Sequence, residues 1–503
     1  MLHSSFIYVL PFIFSALIFF LTKWIFPSSI IRKHLPPSPM KLPILGNLHQ
    51  IGLYPHRSLH SLAQRYGPFM LLHFGRKPFL IISSAAAARE IMKTHDLIFS
   101  NRPKSSIGDR LLYGCKDVAA APYGEYWRQM RSICVLQLLS NTRVNSFRTV
   151  REEEIAFLIK KIASSASFSL PLNLSEMFSL LTNDVICRAA FRRKYSGGES
   201  GRKFKKMLGE LTELLGGFNV GDFIPWLSWV NLFNGVDAKV EKVAKEFDEF
   251  LDEVVEEHLR ESGSYLSEGE KDFVDVLLEI QRDKTDGFSI DRVGIKALIL
   301  DIFAGGTDTT YTVLEWAMTE LLRKPGVMKV LQNEVRGIVN GKEIIKKEDL
   351  DKMHYLKAVL KETLRLHPPI PLLVPRESTK DVKIKNYDIS AGTTVITNAW
   401  AIGRDPNIWD KPEEFRPERF LNNSIDFKGH DFELIPFGAG RRGCPGVLFA
   451  MSTNEIVLAN LVNKFDWSLP FGARVEDLDM TECTGLTIHR KVPLLAVATP
   501  TSC

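Results

Sequence analysis

Cysteine is scarce in this chain, and its spacing lacks the usual pairs. The six cysteines among 503 residues are scattered, and no two of them form a C-x-x-C arrangement. Disulfide frameworks and zinc sites both depend on closely spaced cysteines, so neither is indicated, and a reducing compartment is favoured. No internal repeat is present either, which argues against a repeat architecture.

An excess of one sign of charge is also missing. The chain has 64 basic and 59 acidic residues, a net charge of +5. That excess is too small to indicate nucleic-acid binding. Hydrophobic residues make up 45% and charged residues 24% of the chain, values that are typical of a globular protein with a large core.

The N-terminal stretch from Ser4 to Thr22 contains no charged residue. It is about as long as a helix needs to be to cross a bilayer, and no A-x-A cleavage site follows it. Lys23, Arg32 and Lys33 come after it, which predicts a cytosolic location for the bulk of the chain. We predict a single-pass membrane anchor over residues 1–26 rather than a buried core helix. A basic, proline-rich hinge over 27–46 and a catalytic domain over 47–503 follow.

The remaining pattern is mainly helical with a few strands. Phe69 to Ser83 predicts two short strands around a turn, with a helix starting at Ser84. Residues 104–122 predict a long loop, and residues 140–290 are mostly amphipathic helix, for example Ala238 to Glu261. A longer helix is predicted from Ile290 to Leu322.

The stretch Pro436 to Gly446, PFGAGRRGCPG, is the first that points to chemistry. Cys444 precedes a helical pattern that starts at Val447, so its sulfur is expected at a helix N-terminus, which favours a thiolate. The glycines would let a flat group approach the backbone closely, and Arg442 is suited to a carboxylate. This combination fits a haem whose iron is bound by a thiolate, an arrangement that favours O–O cleavage.

Two alternatives compete for this stretch. A lone cysteine is usually an inert buried side chain. Residues 438–443 also match the dinucleotide pattern G-x-G-x-x-G, and Asp466 follows roughly where a ribose-binding acid would stand. Pro445 has no N–H to offer a pyrophosphate, and too little chain remains for a doubly wound sheet, so the dinucleotide reading is weaker.

The centre of the long helix, Ala304 to Thr310, consists of poor helix formers. Glycines and hydroxyls at this point allow a local bulge in the helix. Asp308 and Thr309 are then placed to relay the protons that reductive O₂ cleavage needs. The alternative is a close helix crossing that the glycines permit.

Several motifs together resemble the cytochrome P-450 superfamily. Phe437, Gly440, Arg442 and Cys444 match its haem loop F-x-x-G-x-R-x-C. The matches elsewhere are Gly305 to Thr310 for the oxygen-activation motif, Trp127 and Arg131 for W-x-x-x-R, and Glu362, Arg365 and Arg419 for the Glu-Arg-Arg network. The motifs follow the family's order, and several longer strings resemble plant family seventy-one, subfamily A.

The resemblance implies a mainly α fold with small β-sheets and a single large catalytic domain. It also implies haem b, with Cys444 as the axial ligand of the iron and Asp308 and Thr309 as catalytic residues. Haem contacts are expected from Phe437 and, at the propionates, from Arg102, Trp127, Arg131, Arg376 and Arg442. Glu362, Arg365 and Arg419 would be structural. The substrate pocket would include Ala304, Gly305, Leu373, Val374 and Leu486, roofed by part of Phe204 to Phe223.

By the same resemblance, the activity is insertion of one oxygen atom from O₂ into a small lipophilic plant metabolite. Terpenoids, phenylpropanoids or coumarins, and indole-type compounds all remain open. The chain has no credible nicotinamide or flavin site, so electrons would come from NADPH through a reductase on the endoplasmic reticulum membrane, docked near Arg441. Two alternatives are aldoxime dehydration or rearrangement on the same fold, and a non-enzymatic membrane haem binder or sensor.

Overall fold

The structure is a computed structural model that describes Ser15 and residues 34–166, 170–195, 198–217, 219–261, 271–283 and 289–501. Apart from Ser15, the predicted anchor over 1–26 and the hinge residues 27–33 lie outside these ranges. Within them, no helix combines the length and the apolar character needed to cross a bilayer.

Helices form most of the described chain, as predicted. In chain order they are α1 (Pro55–Tyr66), α2 (Ala85–Arg89), α3 (Ser106–Leu111), α4 (Glu125–Ser132), α5 (Asn141–Ser146), α6 (Arg148–Ala166), α7 (Leu174–Phe191), α8 (Gly198–Leu215), α9 (Val220–Phe223), α10 (Val230–Phe233), α11 (Val236–Glu261), α12 (Phe273–Arg282), α13 (Arg292–Arg323), α14 (Pro325–Val339), α15 (Lys347–Lys352), α16 (His354–Leu366), α17 (Ala399–Ile402) and α18 (Val447–Lys464).

Helix α13 runs through the core and carries the predicted catalytic pair. The Asp291 side chain caps it by accepting the Gly294 N–H at 2.6 Å, and it ends just before Pro325, which opens α14. Most of its side chains are buried, and it packs on α7, α16 and α18. The helix is continuous from Arg292 to Arg323, so the bulge that its central glycines and hydroxyls allow does not interrupt it.

Strands form three small sheets. Their bounds are β1 (Phe69–Phe74), β2 (Lys77–Ile82), β3 (Leu172–Asn173), β4 (Arg376–Glu377), β5 (Val382–Ile384), β6 (Tyr387–Ile389), β7 (Thr394–Thr397), β8 (Phe465–Ser468) and β9 (Leu495–Pro500). The sheet orders are β1-β2-β7-β4, β3-β9-β8 and β5-β6. β2 runs antiparallel to β1 and parallel to β7. The predicted hairpin is confirmed, with a tighter turn at Gly75 and Arg76.

Gly75 is required at that turn for two reasons. Its φ is +59°, in the region that favours glycine, and a Cβ there would lie 2.1 Å from the Phe223 carbonyl oxygen. The close approach fixes the segment after α8 against the first sheet.

Two local predictions are wrong. The predicted loop over 104–122 contains helix α3, which the Ser105 hydroxyl caps by accepting the Gly108 N–H. The apolar stretch from Ile370 to Val374, which follows Pro368 and Pro369, is predicted from its sequence to be extended. It is instead a turn, because Leu373 has a φ of +51° and donates its N–H to the Ile370 carbonyl. Both depend on contacts that propensity does not encode.

Candidate functional site

The Cys444 loop is a series of tight turns that ends at the start of α18. The Cys444 N–H donates to the Phe437 carbonyl at 2.9 Å, and Gly443 donates to Gly440 at 3.0 Å. Gly440 has a φ of +65°, and a Cβ there would lie 2.3 Å from the Met92 carbonyl oxygen. Glycine at this position is therefore dictated by the protein's own packing.

The dinucleotide pattern does not have its required setting. In the described chain the residues just before Gly438 form turns rather than a strand, and the Gly438 N–H donates to Ile435. Asp466 lies in β8 and pairs with Arg336 at 2.9 Å. The phosphate-cradling strand–turn–helix geometry is thus absent from this part of the molecule.

The Cys444 sulfur lies at the N-terminus of α18, as predicted. The Gly446 N–H donates to Sγ at 3.3 Å. Burial nevertheless raises the pKa of the thiol, outweighing the Gly446 N–H and the Arg131 charge that lower it. The expected preference for a thiolate is therefore not a property of the polypeptide alone, and a coordinated metal ion would supply the missing positive charge.

Cys444 also keeps accessible surface although protein surrounds it. Both observations hold together for a side chain that faces an internal cleft. Gly305, midway along the otherwise buried α13, is likewise exposed, and a Cβ there would meet no atom within 4 Å. Helices α13 and α18 pack on each other, so internal space lies beside this helix pair.

Arg102, Arg376 and Arg442 are all buried, with 8%, 3% and 8% of their surface exposed. Burial lowers the pKa of Arg102, and the charges of Arg442 and Arg376 lower it further. The three guanidinium groups are therefore neighbours.

Backbone carbonyls hold two of these arginines. Arg442 donates to Ser100 at 2.7 Å and to Val118 at 3.2 Å, and its guanidinium lies 4.2 Å from the Trp127 ring centre. Arg102 donates to Ala119 at 2.8 Å and to Val374 at 2.8 Å. Carbonyls satisfy N–H groups but do not neutralise charge.

Asp96 is the carboxylate on the Arg376 side of this cluster. It accepts from Arg376 at 3.0 Å and lies 3.3 Å from Arg441, whose side chain is 53% exposed. Arg376 also donates to the Ala439 carbonyl. Sequence reasoning missed Asp96, and nothing in its local pattern singles it out.

Trp127 and Arg131 share one face of α4, as predicted from their spacing. The Trp127 indole N–H donates to the Val118 carbonyl at 3.0 Å. Arg131 donates to the Gly443 carbonyl at 2.7 Å, next to Cys444. The helix thus connects loop 117–121 to the cysteine loop.

These residues fit a flat cofactor that carries two carboxylates. Buried cations need compensating anions, and the three neighbouring guanidiniums exceed the single carboxylate, Asp96, that ion-pairs with them in the described chain. Gly438 leaves room beside the cysteine loop, since a Cβ there would have no neighbour closer than 3.9 Å. A thiol ligand, a cationic rim and an open glycine face are the features that haem requires.

Asp308 and Thr309 are adjacent on α13, but their side chains have different partners. The Thr309 hydroxyl donates to the Gly305 carbonyl at 2.6 Å. The Asp308 carboxyl lies near Thr487, His489 and Tyr311, each of which lowers its pKa. The structure does not make them a directly bonded pair, because consecutive helical residues point in different directions.

The environment of Asp308 favours a carboxyl that retains its proton. Burial raises its pKa, outweighing the hydrogen bond from Thr487 and the charge of His489. Burial lowers the pKa of His489, but Cys483 and the Arg490 carbonyl outweigh it and raise that pKa to about 9. Thr487 and His489 are partners that sequence reasoning missed, although they lie beside the predicted Leu486.

The predicted pocket residues lie on three elements. Ala304 and Gly305 lie on α13, Leu373 and Val374 on the turn before β4, and Leu486 on the turn between Glu482 and Arg490. Leu373 lies beside Gly438 of the cysteine loop, since a Cβ added to Gly438 would lie 3.9 Å from the Leu373 Cδ1 atom. A Cβ added to Gly216 would lie 2.3 Å from the Leu486 backbone nitrogen, so the residue after α8 packs directly on this turn.

Glu362, Arg365 and Arg419 do meet. Arg365 donates twice to Glu362, at 2.7 and 2.8 Å, and Arg419 donates at 3.0 Å. Glu362 and Arg365 have side chains with no exposed surface. The cluster joins α16 to the segment around Arg419, away from the cleft.

Comparisons with known proteins agree with this geometry. The family described as Cytochrome P450 matches residues 36–496. "Cytochrome P450 736A117" of Prunus mume is 66% identical over 92% of this chain and 90% of the relative. "Cytochrome P450 71A6" of Nepeta racemosa is 55% identical over 97% and 98%, and norfluorocurarine oxidase of Strychnos is 53% identical over 98% of both.

A solved structure points the same way. Zebra fish cytochrome P450 with progesterone is 26% identical, covers 90% of this chain and 100% of its own, and superposes with a TM-score of 0.76. The fold, the cysteine loop and the relatives are mutually consistent. The chain belongs to the cytochrome P-450 family of haem-binding monooxygenases and is similar to plant members of subfamily 71A over nearly its whole length.

Proposed function

We propose that this protein inserts one oxygen atom from O₂ into a small lipophilic plant metabolite, with Cys444 as the axial ligand of haem b. The observation that carries the proposal is the Cys444 sulfur, which faces a cleft at the N-terminus of α18 beside a rim of buried arginines. Haem bound through a thiolate supplies O₂ activation and favours O–O cleavage. Arg102, Arg376 and Arg442, with Trp127 and Arg131, would hold its two carboxylates, and Phe437 would pack beside it.

Asp308 and Thr309 would manage protons within this cleft. The Thr309 hydroxyl is accessible and donates to Gly305, so its oxygen is free to accept a further hydrogen bond. Burial raises the pKa of Asp308, one residue along the chain from that hydroxyl, which favours the protonated carboxyl. A rotation of the Asp308 side chain away from Thr487 would bring the proton toward the cleft.

The axial ligand is tested by the difference spectrum of the reduced, carbon monoxide-bound protein. Wild type should give the red-shifted Soret band of thiolate ligation, and Cys444→Ser should lose it. Cys134→Ala is the matched control, because Cys134 lies near Arg131 but is buried in the core. A variant Cys444→Ser with the wild-type band would overturn the assignment.

The substrate class rests on the apolar pocket and on the relatives. One relative is named for the oxidation of norfluorocurarine, and the zebra fish structure holds progesterone. Terpenoids, phenylpropanoids and indole-type compounds should therefore be screened with NADPH and a reductase under ¹⁸O₂. Incorporation of one labelled atom supports the proposal. Turnover that leaves no label in the product would instead indicate dehydration or rearrangement.

Electrons would reach the site from a flavin-containing reductase that docks near Arg441. Arg441 is half exposed and lies three residues before Cys444 along the chain. Arg441→Ala should raise the apparent KM for the reductase by about two- to tenfold with little change in substrate affinity. Arg474→Ala, an exposed arginine outside the cysteine loop, serves as the control. Equal kinetics for wild type and Arg441→Ala would contradict the docking site.

The charge-free N-terminal stretch would anchor the protein in the endoplasmic reticulum membrane, with the catalytic domain in the cytosol. Met40 and Ile44, near the end of the hinge that follows that stretch in the chain, have apolar side chains that are 86% and 60% exposed. In flotation gradients, the intact protein should float with the membranes, and removal of residues 1–26 should leave it in the dense bottom fraction. A truncated protein that still resists alkaline extraction would contradict an anchor in this segment.

A further inference from the structure

A buried and a half-buried carboxyl group, those of Asp117 and Asp301, meet where α13 passes loop 117–121. Asp301 of α13 accepts the Val118 N–H at 2.6 Å and the Ala119 N–H at 3.1 Å, both through Oδ2. Asp117 accepts the Ala120 N–H at 2.8 Å, also through Oδ2. Both carboxyl groups thus bind consecutive N–H groups of one short loop, which brings them side by side, and burial and the Asp117 charge both raise the pKa of Asp301.

One oxygen of this pair has no donor. Asp117 is fully buried, and its Oδ1 has no hydrogen-bond partner. An ionised carboxylate only accepts hydrogen bonds, so two ionised carboxylates at this spacing would leave a buried acceptor unsatisfied and two like charges together. A single proton between them removes both problems.

The charged and titratable groups around the pair do not replace that proton. Arg102 lowers the pKa of Asp117, but its N–H groups go to carbonyls rather than to either carboxyl. The other groups that interact with the pair are Arg442, Tyr126, Cys115 and Cys134. Burial raises the pKa of both carboxyls, and the Asp117 charge raises that of Asp301 further.

The same loop holds the side chains proposed to bind the cofactor. The peptide unit between Val118 and Ala119 gives its N–H to Asp301, and its carbonyl accepts from Trp127 and Arg442. The next carbonyl, of Ala119, accepts from Arg102. Hydrogen bonds at the two ends of one peptide group strengthen each other, so the carboxyl pair orients the acceptors of three cofactor-facing side chains.

We propose that Asp117 and Asp301 share one proton and act as positioning residues that fix loop 117–121, so that its carbonyls hold Arg102, Trp127 and Arg442 toward the cofactor's carboxylates. The pair itself does not touch the cofactor. This inference rests on the proposed haem-binding role of those three side chains, but the shared proton does not.

Asparagine substitutions distinguish one shared proton from an ordinary pair of hydrogen-bonded acids. In Asp301→Asn or Asp117→Asn, the amide donates across the pair while its oxygen keeps the backbone contact. In the double variant two amides face each other, and every arrangement leaves a donor facing a donor. Each single variant should therefore hold haem as wild type does, and the double variant should lose it about tenfold faster.

Two measurements on the holoprotein test the proposal. Infrared difference spectra at neutral pH, wild type minus each single variant, should show a protonated-carboxyl band that shifts in D₂O, while any band from Asp308 is common to all three proteins and cancels. Haem transfer to an acceptor protein should accelerate at alkaline pH in wild type, where the shared proton is lost, and this acceleration should be absent from Asp301→Asn. Asp109→Asn, at an exposed site on α3, is the control for loss of one carboxylate.

The outcomes distinguish the shared proton from the positioning role. Difference spectra without this band overturn the shared proton. A band that behaves as expected, with an alkaline acceleration unchanged in Asp301→Asn, overturns the positioning role. If Arg102→Gln and Arg442→Gln hold haem as tightly as wild type, the proposed haem contacts fail while the infrared result still stands.

Discussion

Glu362 shows how a single buried carboxylate organises several distant segments. It has no exposed surface and accepts from Arg365, from Arg419 and from the Arg416 backbone N–H. Arg365 in turn donates to the carbonyls of Gly403, Pro412 and Glu414. One negative charge therefore fixes both arginines and the backbone segments that they contact.

Glu362→Gln should be strongly destabilising. The amide keeps the shape but leaves two buried guanidiniums without their counter-charge, which costs about 3–5 kcal/mol in the free energy of unfolding. Chemical denaturation followed by circular dichroism measures this. Glu249→Gln, at an exposed glutamate paired with Lys245 at 3.7 Å, should change stability by less than about 0.5 kcal/mol. Similar losses for both variants would contradict the buried network.

For individual residues, the sequence was informative where the partner lies at a fixed local spacing. Trp127 with Arg131, and Glu362 with Arg365, follow from helical periodicity. Asp96, Asp117 and Thr487 do not, because their partners are distant in the chain. Asp301 carried a readable signal, since it is a lone acid within an apolar helical run and such a residue needs a buried partner.

Helix α13 contains two adjacent glycines with opposite surroundings. A Cβ on Gly306 would lie 2.6 Å from Ile186 of α7, whereas a Cβ on Gly305 would meet nothing within 4 Å. Gly306 permits the close helix crossing, and Gly305 faces the cleft. The sequence suggested two roles for this motif, a close helix crossing and a pocket wall. The first applies to Gly306 and the second to Gly305.

The pair provides its own matched control. Gly306→Ala should destabilise the fold by about 1–3 kcal/mol, because Ile186 is buried and must move. Gly305→Ala should be neutral or stabilising by up to about 1 kcal/mol, since alanine is the better helix former. Thermal unfolding distinguishes them. A larger loss for Gly305→Ala than for Gly306→Ala would show that the crossing is not the tight point.

Helices and strands with a regular hydrophobic pattern were predicted from the sequence. Segments whose conformation depends on tertiary contacts were not. The hairpin β1–β2 and helix α13 follow from alternation and from a long apolar run. The turn at Leu373, with its positive φ, and helix α3 inside residues 104–122 have no periodic signal. The continuity of α13 through Ala304 to Thr310 shows tertiary packing overriding low helix propensity.

Across the whole molecule, Glu482 ties the C-terminal region to the first helix. It lies 3.0 Å from His56 and 2.9 Å from Arg57 of α1. Burial raises the pKa of Glu482, but His56 and Arg57 outweigh it and hold that pKa at about 2. Since this value is below the ordinary value of 4.5, the carboxylate stabilises the fold above pH 4.5, and the contribution is lost as the pH falls toward 2.

Glu482→Gln should therefore lower stability near neutral pH by roughly 1–3 kcal/mol. The difference from wild type should shrink between pH 4.5 and about 2. Denaturant titrations at several pH values follow this difference, with the exposed Glu476→Gln as the control. A deficit that stays constant down to pH 2 would show that the charge of Glu482 is not what stabilises the contact.

The order of strands in the largest sheet has a consequence for biosynthesis. One edge of β2 pairs with β1, which directly precedes it in the chain. Its other edge pairs with β7, which begins only at Thr394. A nascent chain on the ribosome therefore carries an open strand edge through most of its translation, and such edges promote aggregation. Cys444 emerges later still. Chaperone supply during translation and haem availability at its end should therefore limit the yield of intact protein in a heterologous host.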